Sequence, residues 1–398
     1  MIKDKVKLKD AMELACDWLV NIAQVDTKQL TIEQNSKGFV YTNWKGAIRG
    51  EYRVATGRWD FGCPIWHTGQ AVKALLQAYK LLNKDGLLEA ARSGAAFIMR
   101  AQMQPPDPDA GLILAYENID HCVNTSAILE SLDGLLNMYE VTGEEQWLNS
   151  VRSAMKWIEQ KAYIWEEGLF RDEYDVANKE FRKDPFSLKT SYPGRPLADD
   201  GMFLRGYYYT KRKSFRAIFY ETVERLLKEE GPSGNWINFL PCDKQKKLIH
   251  PRQAYWWALP MVMAYRDSKD RRFLECAKRA GQWYMNAQRR DGGFFRKTYS
   301  DFNTESFWHA TSGAACACIL WFNLFQETGE KLWLEPLRQG LDFCMKMQFA
   351  EPDDHNLKGA ILERLFPPDG TDRSPYHIRD VGTIFFIQAA SLVISELE

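Results

Sequence analysis

The chain has 398 residues, of which 45% are hydrophobic and 26% charged, and its formal net charge at pH 7 is −1. The balanced charge and the absence of a Lys/Arg block argue against nucleic acid as the main partner. No apolar run approaches the length of a membrane span, and the first residues lack the apolar core of a signal peptide. We therefore expect a soluble, cytoplasmic protein with no membrane partner.

The eight cysteines occur singly, mostly inside predicted helices, and none belongs to a C-x-x-C motif. This spacing is typical of buried thiols in a reducing compartment and not of a disulfide framework. Cys316 and Cys318 are two residues apart, so they lie on different sides of a helix. We expect no metal site, and the sequence indicates no cofactor.

In chain order, the predicted elements are helices that occur in pairs. An amphipathic helix at about residues 8–23 comes first, and an apolar helix at about 381–397 comes last. Between them lie five pairs, each with a largely apolar or aromatic first helix, a short turn and a more polar second helix. The first helices of these pairs begin near residues 70, 125, 199, 251 and 313.

These helix pairs indicate a closed ring. A helix that is apolar all round is buried, whereas an amphipathic helix keeps one face in water. Pairing the two terminal helices completes six hairpins and removes the need for polar capping repeats. We predict an all-α fold, an (α/α)6 double-ring barrel of six helical hairpins with short β-hairpin insertions, as one domain over residues 1–398. One such β-hairpin is expected at 292–295.

Histidines cluster at the predicted starts of the inner helices. In such a ring these starts surround one mouth of the central cavity. Of the six histidines in the chain, five fall in these short windows, far more than chance would place there. They are His67, His121, His250, His309 and His377. We interpret the mouth as a shared polar cavity.

Other polar and aromatic residues occupy the same windows or the loops beside them. They are Trp66, Asn124, Arg195, Arg252, Gln253, Trp308, Arg379, Asp380 and, in a loop, Asp60. Helix capping explains Asp, Asn and Thr, but not His, Trp or Arg. Aromatic rings with many hydrogen-bonding groups are typical of carbohydrate sites. Six converging helix N-termini favour an anionic ligand such as a uronic acid, so all these residues are candidate substrate-binding groups.

Over essentially its whole length the chain resembles the six-hairpin glycosidase superfamily, and most closely the unsaturated glucuronyl and rhamnogalacturonyl hydrolases of glycoside hydrolase families 88 and 105. Those enzymes carry an Asp at an early inner helix and an Asp-Asp-x-x-Met-like motif at the next one. Asp120 and the segment 199–203 (DDGMF) stand in that order here. Their Trp-x-Arg-x-Asn-Gly-Trp element is absent, and Arg252 to Trp257 stands in its place.

The resemblance implies a hydrolase in which an Asp is the general acid and base. It protonates the C4=C5 bond of an unsaturated uronyl residue, and water adds at C5. The candidate catalytic residues are Asp199, Asp200 and Asp120, with Asp60 and Asp380 in reserve. Ordinary glycosidases use two carboxylates about 5–10 Å apart instead, so a saturated uronide stays open. Either scheme needs a carboxyl pKa raised by burial or by a second carboxylate.

Two other functions remain open. A sugar epimerase of the N-acylglucosamine 2-epimerase type uses paired histidines, for which His250, His309 and His377 are candidates. The chain lacks the His-Pro-Gly-x-Glu-like element associated with that family. A non-catalytic sugar-binding toroid is the third possibility, although it does not require so many titratable groups at one mouth. The sequence does not indicate an oligomeric state.

Overall fold

The computed structural model describes residues 5–117, 122–182, 193–304, 309–365 and 376–396. Within these ranges the chain forms twelve α-helices. They are α1 (Lys5–Trp18), α2 (Pro64–Leu82), α3 (Asp85–Arg100), α4 (Thr125–Thr142), α5 (Glu145–Trp157), α6 (Met202–Thr210), α7 (Lys213–Glu229), α8 (Gln253–Ser268), α9 (Arg271–Ala287), α10 (Thr311–Thr328), α11 (Leu334–Lys346) and α12 (Asp380–Ser395). Short π-helical turns extend α1 to Ala23 and α5 to Ala162. None of the helices in the described ranges is long and apolar enough to cross a membrane.

The even-numbered helices are the inner ring. In α10 every residue from Thr311 to Leu324 is buried, because small residues such as Gly313 and Ala317 let neighbouring helices approach closely. The odd-numbered helices are amphipathic and form the outer ring; α9, for instance, buries Phe273, Ala277 and Trp283 between exposed charges. The two-ring prediction is therefore confirmed.

The ring closes between the two chain ends. Around the inner ring α2 packs on α4 and on α12, α10 packs on α8 and α12, and the turn before α6 packs on α8. Helix α1 packs against α12. Two hydrogen bonds join α1 to the segment after α11: Trp18 Nε1 donates to Asn356 O at 2.8 Å, and Gln348 Nε2 donates to Ala11 O at 2.8 Å.

In each of the six repeats, one glycine with positive φ packs closely against a neighbouring outer helix. Each follows one outer helix and presses on a backbone carbonyl of the next, where a Cβ would clash or be tightly crowded. The six glycine–carbonyl pairs are Gly46–Ser93, Gly111–Ser153, Gly168–Glu221, Gly234–Arg279, Gly292–Gln339 and Gly359–Leu14. We call these glycine segments the straps. The last one rests on α1, so the straps also complete the ring.

A glutamine reinforces four of the six straps. Its side-chain amide donates to the strap glycine carbonyl and to the outer helix that receives the glycine. Gln102 Nε2, for example, donates to Gly111 O at 3.1 Å and to Ser150 O at 3.0 Å. The equivalents are Gln24, Gln288 and Gln348. The glutamine amides thus provide hydrogen-bond donors for backbone carbonyls of the straps and of the outer helices. These bonds allow the irregular straps to pack against the helices.

The strands are short and lie in the loops that lead to the inner helices. They are β1 (Gly50–Arg53), β2 (Arg58–Phe61), β3 (Cys122–Asn124), β4 (Tyr163–Ile164), β5 (Leu169–Phe170), β6 (Glu173–Asp175), β7 (Glu180–Phe181), β8 (Leu248–Ile249), β9 (Thr298–Tyr299), β10 (Arg364–Leu365) and β11 (Tyr376–Arg379). The largest sheet has the order β10-β11-β1-β2, with every neighbouring pair antiparallel. It joins the segments that precede α2 and α12.

The expectation of a β-hairpin at 292–295 is wrong. Gly292 is instead the strap glycine against α11, and Phe295 makes only an isolated antiparallel bridge with His309. The prediction that the cysteines are unpaired and mostly buried is confirmed. All eight are free thiols, and each is buried except Cys63, which is half-buried.

Candidate functional site

Two buried carboxylates bind the backbone at inner-helix starts on opposite sides of the ring. The Asp172 carboxylate accepts hydrogen bonds from the backbone N–H of Ser126 at 2.9 Å and from the Ser126 hydroxyl at 3.0 Å, at the start of α4. Glu363 accepts from Ser312 N at 2.7 Å and from its hydroxyl at 2.6 Å, at the start of α10. Each cap comes from the loop after the outer helix of the same hairpin, which ties these loops to one mouth.

Three further acidic groups gather around Arg195 at this mouth. The guanidinium of Arg195 lies 3.1 Å from Asp172 Oδ2 and within electrostatic range of Asp199, Glu117 and Glu130. Burial, followed by the charge of Asp172, raises the pKa of Glu117 to about 7. Burial, followed by the charge of Asp199, raises the pKa of Glu130 well above its usual value. Carboxyl groups with raised pKa values are typical of acid–base sites.

Asp199 lies in the 3-10 turn Asp199–Gly201 that precedes α6. Its side chain is buried, and burial raises its pKa to about 7, while Arg195 acts in the opposite direction and Asp200 adds to the rise. A carboxyl that exchanges its proton near pH 7 is suited to general acid–base work. Burial, followed by the negative charge of Asp199, raises the pKa of Glu130, so Glu130 keeps its proton to higher pH than an exposed glutamate.

Asp200, the next residue, is held in a different set of bonds. It has φ +49°, and its carboxylate lies 2.9 Å from Lys73 Nζ and accepts from the Tyr255 hydroxyl at 3.0 Å. Lys73 also pairs with Asp133 at 2.6 Å, and Arg205 pairs with Asp133 too. The Asp200 carboxylate is therefore bound within a buried network of ion pairs that belongs to the fold.

Arg252 precedes α8 and lies among aromatic rings. Its guanidinium carbon is 5.0 Å from the centre of the Trp256 ring, 5.8 Å from Trp66 and 5.9 Å from Phe385. The side chain is 6% exposed, yet its Nε and Nη1 have no hydrogen-bond partner among the described residues. A buried guanidinium with unused donors is a binding group for a carboxylate.

The buried histidines His67, His250 and His309 are uncharged near neutral pH. Burial lowers the pKa of His67 and His309, and it lowers that of His250 well below the usual value. His67 Nδ1 lies 2.7 Å from Asp380 Oδ1, and its Nε2 has no partner among the described residues. The His250 ring stacks on Trp256 with 5.3 Å between ring centres. These rings serve as neutral hydrogen-bonding groups.

Other predicted substrate-binding residues are engaged by the protein itself. Gln253 is fully buried, donates to Trp236 O and Phe239 O at 3.0 Å each, and accepts from Cys242. Asp60 is paired with Arg53 at 2.8 Å. The polar groups of both side chains therefore have partners within the fold. Asn124 pairs with Glu173 in the β3–β6 ladder, and Arg379 lies 3.0 Å from Glu51.

The side chains of four predicted residues are outside the part of the chain that the structure describes. Asp120, His121 and Trp308 lie wholly outside the described residues. The backbone of His377 belongs to β11, but its side chain is outside the described part as well.

The site also contains groups that sequence reasoning missed. Glu130, Asp172 and Glu363 were not singled out, since each lies past the helix start or on a distant loop. Both carboxylates bind helix starts that share a Thr-Ser pair, Thr125-Ser126 and Thr311-Ser312, and this repeated pair was an available signal. Among the described residues, no group of three or more His, Cys, Asp or Glu side chains is arranged to hold a metal ion.

A cavity of about 850 Å³ beside β2 is a poor alternative location for the chemistry. It is lined by the end of α1, residues 30–36 and β2, and not by inner-helix starts. Glu33 is its carboxylate, and hydrogen bonds from its own backbone and then from Thr31 lower its pKa. A carboxyl that is ionised at neutral pH does not donate a proton there.

Solved structures share this architecture. The unsaturated glucuronyl hydrolase specific for heparin is 14% identical, with 98% of this chain and 97% of that chain covered and a TM-score of 0.68. D-mannose isomerase is 13% identical, with coverage of 98% and 97% and a TM-score of 0.68. Cellobiose 2-epimerase from Bacillus thermoamylovorans B4167 is 13% identical, with coverage of 88% and 92% and a TM-score of 0.66.

No protein-family model matches the chain, and no curated protein matches it. At these identities the structural likeness establishes the fold and not the reaction. The neighbours include hydrolases, epimerases and an isomerase, all sugar-processing enzymes. The chain therefore has an (α/α)6-barrel fold, as the sequence predicted.

Proposed function

We propose that the protein is a glycoside hydrolase that acts on an oligosaccharide or glycoside with a uronic acid residue, unsaturated or saturated. The observation that carries this proposal is the acidic group Glu117, Glu130 and Asp199 around Arg195, with raised carboxyl pKa values at one mouth. Neighbours of the same fold that are named unsaturated glucuronyl hydrolases support the substrate class.

Asp199 is the proton-exchanging group in this proposal, because its pKa of about 7 matches neutral pH. In its protonated form it donates a proton to C4 of the C4=C5 bond of an unsaturated uronyl residue, and as a carboxylate it then accepts a proton from the water that adds at C5. The hemiketal formed at C5 opens to a ketone, and the hemiacetal left at C1 breaks down to an aldehyde and releases the rest of the substrate as an alcohol. With a saturated glycoside it protonates the leaving oxygen instead, and a second carboxylate assists the water. Glu130, which stays protonated, donates a hydrogen bond to the substrate or to Asp199.

Arg252 supplies the recognition of the uronate carboxylate. The aromatic rings of Trp66 and Trp256 fix the guanidinium and exclude water, so an ionic hydrogen bond to the substrate gains strength. The same rings offer apolar faces to a pyranose. The inner-helix N-termini add a positive potential at this mouth.

A second candidate function is a sugar epimerase or isomerase. The buried His67–Asp380 pair favours it, since Asp380 orients the imidazole and leaves Nε2 without a described partner. An oriented imidazole is a suitable base for proton abstraction beside a carbonyl. Neighbours named cellobiose 2-epimerase and D-mannose isomerase add to this candidate.

Product analysis separates the two. The protein is incubated with glucuronides, both saturated and 4,5-unsaturated, and separately with free hexoses and cellobiose, and products are followed by NMR and mass spectrometry. The hydrolase proposal expects two smaller molecules from a glucuronide and unchanged free sugars. Isomers of a free sugar with intact glucuronides contradict the hydrolase and favour the epimerase.

A further inference from the structure

The barrel has a second cavity, of about 260 Å³, on the side away from the acidic mouth. All six inner helices contribute to its wall, mostly from their C-terminal halves, as with Asn137 of α4, Asn323 of α10 and Gln388 of α12. We call it the far cavity. Its wall includes Arg266, which is partly exposed near the end of α8 and marks the outer rim.

The far cavity is unsuited to anions. Its three cationic side chains are already paired: Lys73 with Asp200 at 2.9 Å, Arg205 with Glu140 at 2.9 Å and Arg266 with Glu327 at 2.5 Å. In addition, the inner helices direct their C-terminal, negative ends toward this end of the barrel. Its electrostatic preference is therefore opposite to that of the mouth near Arg195.

The polar wall also contains buried hydrogen-bond acceptors without a partner among the described residues. Gln388 is 2% exposed, and its Nε2 donates to Gln70 O at 3.2 Å and to Gln70 Oε1 at 3.1 Å, which fixes the amide. Its Oε1 has no partner among the described residues, and neither has the Oε1 of Gln77. Both residues line the far cavity. Buried acceptors of this kind call for a ligand that brings donors.

Part of the wall is apolar and is formed by Leu259, Met263, Ile319 and Leu392. A polyhydroxylated molecule has a C–H face for such a wall and hydroxyl donors for the amide oxygens. The volume is just below the range for drug-sized ligands, which restricts the occupant to a small molecule. We propose that the far cavity is a second binding site, for an uncharged polyhydroxylated molecule of monosaccharide size.

The test uses the full chain and D-xylose as the probe, titrated by ligand-observed saturation-transfer NMR. The blocking variant is Leu392→Trp, which fills the far cavity, and the matched control is Leu332→Trp, on an exposed leucine. We expect Leu392→Trp to weaken D-xylose binding at least tenfold and Leu332→Trp to leave it within twofold. If circular dichroism shows that Leu392→Trp does not fold, Asn323→Leu takes its place.

Competition completes the test. Phenyl glucuronide and inorganic phosphate are each added to the D-xylose complex, and neither is expected to displace the probe. Displacement by phenyl glucuronide would show that D-xylose binds at the acidic mouth. Displacement by phosphate would show that the far cavity binds anions. Either result overturns the proposal. So does failure of D-xylose to bind, or equal affinity in the wild type and the blocking variant.

Discussion

Asp199 and Asp200 are adjacent in the chain, but their carboxylates interact with different partners. Asp200 lies 2.9 Å from Lys73 and 3.0 Å from the Tyr255 hydroxyl, while Asp199 is under the influence of Arg195. The positive φ of Asp200 and Gly201, +49° and +59°, produces this divergence. One aspartate is thus bound into the fold, and the other is left for proton exchange.

Asn substitutions at the two positions should therefore have different effects. Asp199→Asn should lower turnover of a glucuronide at least about 100-fold without lowering Tm, since the proton-exchanging group is lost. Asp200→Asn should lower Tm, because it leaves Lys73 with one fewer counter-charge, and should lower turnover less than about 10-fold. Steady-state kinetics and calorimetry on both variants check this. The reverse pattern would reassign the catalytic role to Asp200.

The raised pKa of Asp199 has a consequence for stability. Between the unfolded value of 3.8 and the folded value of about 7, the unfolded chain loses its proton while the folded one keeps it. Stability therefore falls as pH rises through that window. Asp199→Asn removes this loss. The difference in free energy of unfolding between the variant and the wild type should therefore increase by about 2 kcal/mol in favour of the variant from pH 5 to pH 8. Urea unfolding at both pH values measures the gain, and a pH-independent difference would contradict the raised pKa.

The pH dependence of turnover should follow the protonation of Asp199. If protonated Asp199 starts the reaction, turnover by the wild type should decline as pH rises through about 7. Glu130→Gln should keep most of the activity, because a neutral amide also donates a hydrogen bond. Rates from pH 5 to pH 9 with saturating glucuronide test both statements. A rate that climbs across pH 7 would mean that the ionised carboxylate is the form needed first.

Arg252 should determine preference for acidic sugars. Arg252→Lys keeps the charge but loses the planar set of donors inside the aromatic cage. We expect KM for a glucuronide to rise about 10- to 100-fold, in line with the loss of a charge-assisted hydrogen bond. A neutral glycoside with the same leaving group is the control. Equal losses on both substrates would show that Arg252 supports the fold and not the carboxylate.

The straps make a prediction about stability. Gly292→Ala places a Cβ against the Gln339 carbonyl and keeps φ at +91°, so the backbone must move. Gly329→Ala has a similar positive φ, +68°, but open space around it. We expect about 1 kcal/mol of destabilisation at Gly329 and at least about 3 kcal/mol at Gly292. Chemical denaturation compares them, and equal losses would remove the close contact as the reason for the glycine.

Much of the fold follows from helical periodicity. Residues 314–322 are apolar on every face, while α9 and α11 keep one polar face, and this contrast separates the inner from the outer ring. The strap at Gly292 was misread as a β-hairpin, because a Gly-Gly-Phe-Phe segment satisfies local turn rules. Its actual role depends on the carbonyl of Gln339, a long-range contact that local rules do not contain.

The site was less predictable than the fold. The structure places Asp199, Arg195 and Arg252 near one another at the inner-helix starts, because topology alone brings those starts together. Glu130 was missed, as it lies more than one turn inside α4 and reads as a helix residue. The separation of Asp199 from Asp200 depends on two positive φ angles that composition does not reveal.

The most direct test of the proposed reaction uses a 4,5-unsaturated glucuronyl disaccharide. The ultraviolet absorbance of its conjugated double bond and the release of reducing sugar are recorded together, with Asp199→Asn as the control. The proposal predicts that absorbance disappears as sugar is released and that the variant does neither. Release of sugar from saturated glucuronides alone would replace hydration with a two-carboxylate mechanism. Unchanged absorbance and no released sugar from any glucuronide would contradict the hydrolase.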